Sequence, residues 1–185
     1  MGALPVVGSW DDEMTGGPPV PVPFVRFTSD YTTFFRAELR SLVALAAAIA
    51  GTERAEEIAQ EALLRAHREW DRIARYDKPG AWVRRVTINL ATSSRRRRSS
   101  ERRALQRVAA RRQLDVPPPE VDGFWSLVRR LPDRQAAAVA LYYLDDLSIA
   151  DIADALGCAE GTAKAHLHQA RQTLAQQLHD EEPQS

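Results

Sequence analysis

The sequence is poor in the residues from which metal sites and enzyme active sites are built. It contains one cysteine, Cys158, which excludes an internal disulfide and a zinc site made of several thiolates. Its four histidines form no H-E-x-x-H pattern, and it has neither a glycine-rich phosphate loop nor a G-x-S-x-G motif. We therefore expect no catalytic residue, no metal and no cofactor, in a protein that is not an enzyme.

Long hydrophobic runs and an N-terminal positive charge are also missing. No apolar stretch reaches about 18 residues, the length that a membrane-spanning helix needs. No lysine or arginine precedes Arg26, whereas a secretory signal peptide begins with such a charge. We expect a cytoplasmic protein with no membrane insertion.

Aromatic residues are scarce at 7% of the chain, while alanine and arginine are used heavily. This composition favours small helical packing units over a β-sandwich, which is rich in β-branched and aromatic residues. The apolar fraction of 44% is sufficient for a folded core. We predict an all-α protein made of two small helical domains joined by a flexible linker.

Proline marks the boundaries between segments. The first 28 residues hold five of the 11 prolines, four of the nine glycines and three acidic residues, which predicts a flexible acidic arm. An unstructured leader and an autoinhibitory arm both fit this composition. Three consecutive prolines at 117–119 exclude a helix across them. The predicted divisions are an arm at 1–28, a first domain at 29–98, a linker at 99–122, a second domain at 123–179 and a tail at 180–185. A helical start of the linker is left open.

Apolar residues recur at three- and four-residue spacings through the first domain, as they do in amphipathic helices. The first helix begins near Tyr31 and ends before Gly51. The second runs from Ala55 to Trp70, and the third begins at Pro79. The apolar stripe of the second helix is predicted to consist of Ala55, Ile58, Ala59, Ala62, Leu63, Ala66 and Trp70. The buried side of the third helix is predicted to consist of Trp82, Val86 and Leu90.

The second helix also has a polar, partly acidic face. Acidic side chains repel DNA phosphates, so this face favours a protein partner, with plain solvation as the alternative. The residues predicted to bind that partner are Glu57, Gln60, Glu61 and Leu64.

The second domain has the pattern of a helix-turn-helix. Asp133 is expected to cap one helix and Ser148 the next. A Gly-Cys pair at 157–158 forms the turn, where Cys158 is either a small buried apolar residue or a redox sensor. The last helix runs from Glu160 to Leu178 over the apolar stripe Ala163, Leu167, Ala170, Leu174 and Leu178.

Short and hydrogen-bonding side chains lie opposite this stripe, as is typical of a helix that reads base edges in the major groove. An ordinary solvated face is the alternative. The predicted DNA-binding residues of the last helix are Thr162, Lys164, Ala165, His166, His168, Gln169 and Arg171.

Positive charge is concentrated in the third helix and just beyond it. The chain has 25 basic and 25 acidic residues, yet residues 84–112 contain eleven arginines and one acid, Glu101. A cationic block of this kind favours nucleic acid, because arginine binds phosphate through two parallel hydrogen bonds. A solvated tail or an anionic-membrane patch is the alternative. The residues predicted to bind nucleic acid here are Arg85, Asn89, Thr92, Arg95 and Arg96.

Three segments together resemble the extracytoplasmic-function (ECF, group 4) sigma factors of bacterial RNA polymerase. They are AEEIAQEALLRAHREWDRI from Ala55, AWVRRVTINLATSSRRRR from Ala81 and LPDRQAAAVALYYLDDLSIADIADALGCAEGTAKAHLHQARQTL from Leu131. The resemblance implies an alternative sigma factor that directs promoter recognition, −10 melting and transcription initiation. The high arginine and alanine content is typical of a high-GC organism such as an actinobacterium.

The resemblance also implies partners. The first domain, sigma region 2, would bind the clamp of the polymerase β′ subunit and the −10 element. The second domain, sigma region 4, would contact the β flap and read the −35 element of promoter DNA. The free protein would be a monomer, and whether an anti-sigma factor binds it is left open.

Several residues match the family's functional positions. Glu57, Gln60 and Glu61 match its acidic clamp-binding positions, and Asn89 matches an asparagine near the −10 strand. The connection from Arg72 to Lys78 corresponds to the loop that receives a flipped-out base. The −35 readers are matched by Lys164, His168 and Gln169.

The chain departs from the family pattern at a few positions, which bear on promoter sequence. Ala159 replaces a capping Ser or Pro, Ser93 replaces an acid, and Ala165 and His166 replace Ser and Arg. A stand-alone helix-turn-helix repressor or activator is the alternative function. The acidic face of the second helix argues against it, since a repressor does not need that face.

Overall fold

The computed structural model describes residues 31–112 and 123–181, with side chains at 31–105 and 123–179. Within these ranges the regular structure is helical, which confirms the predicted class. The predicted arm, the linker prolines and most of the predicted tail lie outside the described residues. The helices are α1 (Tyr31–Ala50), α2 (Ala55–Arg68), α3 (Trp70–Ile73), α4 (Pro79–Arg112), α5 (Gly123–Arg130), α6 (Asp133–Leu144), α7 (Ile149–Leu156) and α8 (Glu160–Glu181), with a 3₁₀ turn at Thr52–Arg54 before α2.

The predicted apolar stripe of α2 is buried against α1 and α4. Because its members are spaced by three and four residues, they form one continuous side of the helix. The helix ends at Arg68 rather than Trp70, since Glu69 leaves helical geometry and Trp70 begins the short α3. The buried residues of α2 are Ala55, Ile58, Ala59, Ala62, Leu63 and Ala66.

The prediction for the buried side of α4 was wrong by one position. Trp82, Val86 and Leu90 are half-buried at the edge of the first domain's core. Helix α4 is covered by α1 and α2 on one side and by α7 on another. Its buried stripe is therefore shifted around the helix towards α7. The fully buried residues are Val83, Thr87, Ile88 and Ala91.

Two end signals in the second domain are confirmed. The hydroxyl of Ser148 accepts a hydrogen bond from the backbone N–H of Asp151 at 3.2 Å and so caps α7. Gly157 ends α7 with φ +66°, a left-handed conformation that glycine adopts without a steric penalty. The N–H of Cys158 then bonds the carbonyl of Ala153 at 3.0 Å, which closes a Schellman motif.

Two other expectations for this domain were wrong. Asp133 does not cap α6, because Pro132 occupies the cap position and the Asp133 carboxylate binds Arg95 and Arg96 instead. Leu178 is 40% exposed, since α8 continues past the helices against which its inner stripe packs. The remaining members of that stripe are buried as predicted.

The two predicted domains pack on each other. Helices α5 and α6 contact α1, and α7 contacts α4. One buried cluster runs through both domains and includes Leu45, Ile49 and Ile88 from the first and Leu131, Leu141, Ile152 and Leu156 from the second. Helix α4 also continues to Arg112, 14 residues past the predicted boundary at 98.

We expect Ser148→Ala to destabilise the protein by about 1 kcal/mol, because the N-terminus of α7 loses its side-chain acceptor. Urea denaturation followed by circular dichroism measures this change. Ser93→Ala, at an exposed position within α4, serves as the control and should change the unfolding free energy by less than about 0.5 kcal/mol. Equal effects of the two substitutions would show that the Ser148 cap contributes nothing.

Candidate functional site

The acidic face of α2 opens into a groove between α1 and α2. The groove has a volume of about 820 Å³, and all four residues predicted to bind a protein partner line it. Its other wall contains the aromatic side chains of Tyr31 and Phe35, which were not predicted to belong to a binding site. Their position at the start of the first helix was the signal in the sequence that could have identified them. The lining residues are Tyr31, Phe35, Glu57, Gln60, Glu61, Leu64, Arg65 and His67.

The groove combines negative charge with exposed apolar surface. Glu57 accepts a hydrogen bond from Arg54 Nε at 2.9 Å, which lowers the pKa of its carboxyl group. Glu61 accepts one from Arg65 Nε at 2.8 Å. Leu64 follows Glu61 by three positions, on the same side of the helix, and is 43% exposed. Such a surface suits a partner that brings both cations and apolar side chains.

Three arginines of α4 contact the second domain, although Arg85 and Arg96 stay exposed to solvent. Asn89 is exposed and Thr92 is half-buried, whereas the three arginines of the predicted site are all bonded to the second domain. Arg95 donates to the carbonyl of Arg129 at 3.0 Å, and Arg96 Nε donates to Asp133 at 2.7 Å. Burial and the neighbouring Arg96 lower the pKa of Arg95.

Arg85 meets the end of α7. Its guanidinium donates to the carbonyls of Asp154 and Ala155, the latter at 3.4 Å, where the negative end of the helix dipole favours a cation. A Cβ at Gly157 would lie 3.0 Å from the Arg85 guanidinium carbon. Glycine at this turn therefore allows both the left-handed backbone and the close approach of Arg85.

The loop before α4 is also joined to α7. Lys78, the last residue of the predicted base-receiving loop, binds Asp151 at 2.7 Å and Asp154 at 2.6 Å. These carboxylates raise the pKa of the Lys78 ammonium group, and Lys78 in turn lowers the pKa of Asp151. The sequence held a signal for ion pairs between the two domains. Acidic residues are frequent between positions 133 and 154, whereas the arginine-rich segment 84–112 contains one acid.

On α8 most of the predicted DNA-binding side chains lie together in the open. Thr162, Lys164, Ala165, His168 and Gln169 are exposed, and His166 is half-buried. Gln135 of α6 donates a hydrogen bond to Gln169 at 3.2 Å, a contact that sequence reasoning missed.

Arg171 differs from most of the other predicted residues of α8 in being half-buried and in contacting α6. Its guanidinium carbon is 4.8 Å from the ring centre of Tyr142 and 5.8 Å from that of Tyr143. This cation–π contact joins α8 to α6, so Arg171 contributes to packing between the two helices. Cys158 is half-buried and packs against the shared core, the apolar role that was one of its two interpretations.

In the part of the chain that the structure describes, no helix combines the length and the apolar character required to cross a bilayer.

Comparison with known protein families gives two matches in chain order. The family model of Sigma-70 region 2 matches residues 34–101, and that of Sigma-70 region 4 matches residues 123–174. The sequence is 31% identical over 143 residues to the ECF RNA polymerase sigma factor SigW of Bacillus subtilis, covering 68% of this chain and 76% of that protein. It is 33% identical over 151 residues to the ECF RNA polymerase sigma factor SigM of Mycobacterium tuberculosis, covering 80% and 76%.

Solved structures share the fold. The sigma factor RpoE of Bartonella quintana, in complex with the anti-sigma factor NepR, matches with a TM-score of 0.59 and 22% identity, covering 83% of this chain and 99% of that one. CnrH in complex with the cytosolic domain of CnrY matches with a TM-score of 0.60 and 19% identity, covering 82% and 88%.

Proposed function

The chain belongs to the extracytoplasmic-function sigma factors of bacterial RNA polymerase, and we propose that its three surfaces divide the work of promoter recognition. As a sigma factor it directs transcription initiation and is not itself an enzyme. The groove on α2 binds core polymerase, the arginine face of α4 binds the −10 strand, and α8 reads the −35 element. The observation that carries this division is the order of the two family regions, each of which bears one of the predicted nucleic-acid surfaces.

The groove on α2 is suited to the clamp of the β′ subunit. Glu57 and Glu61 supply two negative charges beside exposed Leu64, so a partner helix with basic and apolar side chains is complementary to it. The groove lies on the first domain alone and is open in the free protein. The protein would therefore meet polymerase in the cytoplasm without first changing shape.

The two DNA surfaces differ in how they would contact promoter DNA. On α4, Asn89 is the exposed neutral group suited to a base edge, and the arginines around it supply contacts to phosphate. On α8, Lys164, His168 and Gln169 present donors suited to the major groove. Because Lys164 is the one residue with a permanent positive charge among these α8 residues, we expect weak −35 binding by the free protein and few phosphate contacts.

The remaining partners of the proposal are the β flap, which the second domain would contact, and an anti-sigma factor. One of the structural neighbours, the sigma factor RpoE of Bartonella quintana, is in complex with the anti-sigma factor NepR. Run-off transcription with core polymerase and genomic promoter fragments tests the proposed function as a whole. A discrete transcript that requires the added protein is expected, and no transcript from any promoter fragment would overturn the proposal.

Charge reversal in the groove should strongly weaken polymerase binding. We expect Glu57→Lys plus Glu61→Lys to weaken co-purification with core polymerase by about 100-fold, because attraction becomes repulsion across the interface. The control is Asp71→Lys plus Glu160→Lys, which reverses two exposed acids outside the groove. If both variants bind core polymerase like the wild type, the assignment of the groove is wrong.

Asn89 should act in strand separation rather than in −35 binding. We expect Asn89→Ala to slow promoter opening by about tenfold, the effect of losing one base contact. Permanganate footprinting of the melted strand measures opening, and a gel shift on a −35 duplex should be unchanged. Ser100→Ala, at an exposed position of the same helix, is the control. Normal melting by Asn89→Ala would exclude a role for Asn89 in strand binding.

A further inference from the structure

One of the side chains that α8 offers to DNA is hydrogen-bonded to a side chain of α6. Gln135 lies in the first turn of α6, and its Nε2 donates to Oε1 of Gln169 at 3.2 Å. This distance is within the normal range for an N–H···O hydrogen bond. Gln135 is half-buried, whereas Gln169 is exposed. The hydrogen bond therefore connects the packed side of α6 to the open face of α8.

The backbones on both sides of this hydrogen bond are fixed by the core. The next residue along each helix, Ala136 in α6 and Ala170 in α8, is fully buried in the shared apolar cluster. A close-packed core of this kind does not let two helices shift relative to each other without a cost in stability. Gln135 therefore presents its amide to Gln169 in the free protein, without any contribution from DNA.

The direction of the hydrogen bond is set by the burial of the Gln135 amide. Its Oε1 is buried and has no hydrogen-bond partner within the described part of the chain. The reversed amide would bury an NH2 group at that place, with two donors to satisfy instead of one acceptor atom. Nε2 is therefore the end of the Gln135 amide that faces Gln169, and Gln169 receives the hydrogen bond on its oxygen.

The hydrogen bond from Gln135 changes what Gln169 offers to a base pair. A glutamine amide has an acceptor oxygen and an NH2 group, and it pairs with adenine in the major groove by using both ends at once. Here the oxygen already accepts a hydrogen bond from α6, so the NH2 end is the one that is free to turn towards DNA. Guanine presents two acceptors, O6 and N7, which suit a donor. Adenine presents its N6 donor beside N7, and that donor would be left without an acceptor.

We infer that Gln135 is a positioning residue that sets the base preference of Gln169, and this inference rests on the proposed role of α8 in reading the −35 element. Gln135 holds the Gln169 oxygen towards α6 and leaves the NH2 group for the major groove, so Gln169 selects guanine over adenine. The hydrogen bond also restricts the Gln169 side chain in the free protein. Less side-chain entropy is then lost when DNA binds.

The test measures base preference with the full-length protein in reconstituted holoenzyme. Promoter duplexes carry each of the four base pairs at each −35 position in turn, and competition binding at one fixed salt concentration gives the affinity ratios. Gln169→Ala locates the base pair that Gln169 contacts, as the position at which the preference is lost. At that position we expect the wild type to bind guanine about tenfold more tightly than adenine, the usual effect of one base contact.

Two substitutions at position 135 should change this ratio in different ways. Gln135→Leu removes the donor, so we expect the preference for guanine over adenine to fall to about twofold. Gln135→Glu places only acceptors beside Gln169, which must then turn its NH2 group towards α6 and its oxygen towards DNA. We expect this variant to bind adenine about threefold more tightly than guanine. A change in packing alone would not invert the preference.

The control for added charge is Gln176→Glu, at an exposed glutamine two turns beyond Gln169 on α8. It should weaken binding to all base pairs alike and keep the wild-type ratio of guanine to adenine.

Wild-type ratios in both Gln135 variants would overturn the inference, and so would a Gln169→Ala variant that loses preference at no position. A relaxed preference in both Gln135 variants, without inversion, would also overturn it, since Gln135 would then act only through packing. The proposed function itself fails in a different way, if the wild-type holoenzyme shows no base preference at any −35 position.

Discussion

The placement of Arg84 between two carboxylates is the constraint on which the arrangement of the two domains depends. Arg84 is 15% exposed, so its charge is tolerated there only because Glu38 and Asp145 lie within 2.8 Å. Gly80 makes room for this contact, since a Cβ there would lie 2.6 Å from the Arg84 guanidinium. One carboxylate comes from each domain. A single buried cation thus fixes α1, α4 and the end of α6 relative to one another.

The other contacts between the domains follow from the position that Arg84 fixes. Once α6 and α7 lie over α4, the remaining arginines are matched by Asp133 and by carbonyls at the end of α7. These pairs are more exposed than the Arg84 contact, so each contributes less and is weakened by salt. The apolar cluster that runs through both domains supplies the rest of the interface. The same arginines thus bind the second domain in this structure and, by our proposal, bind the promoter strand during initiation.

Local signals in the sequence were sufficient for most of the helices and for the acidic side of the groove on α2. The stripe of α2, the cap at Ser148 and the turn at Gly157 depend on neighbours within a few positions, and all were predicted correctly. The buried side of α4 and the role of Asp133 were not, because both are decided by a helix far along the chain. The distribution of charge along the sequence showed that acids and arginines lie in different segments. It did not show that these segments contact each other in the folded protein.

The dependence of promoter binding on polymerase tests the central claim most directly. Gel shifts at one fixed salt concentration compare the free protein with the reconstituted holoenzyme on the same duplex promoter. A sigma factor whose −10 arginines are already bonded within the protein, and whose −35 helix offers few cations, should bind weakly alone and orders of magnitude more tightly with core polymerase. Tight, sequence-specific binding by the free protein at nanomolar concentration would contradict the account and indicate a stand-alone repressor or activator.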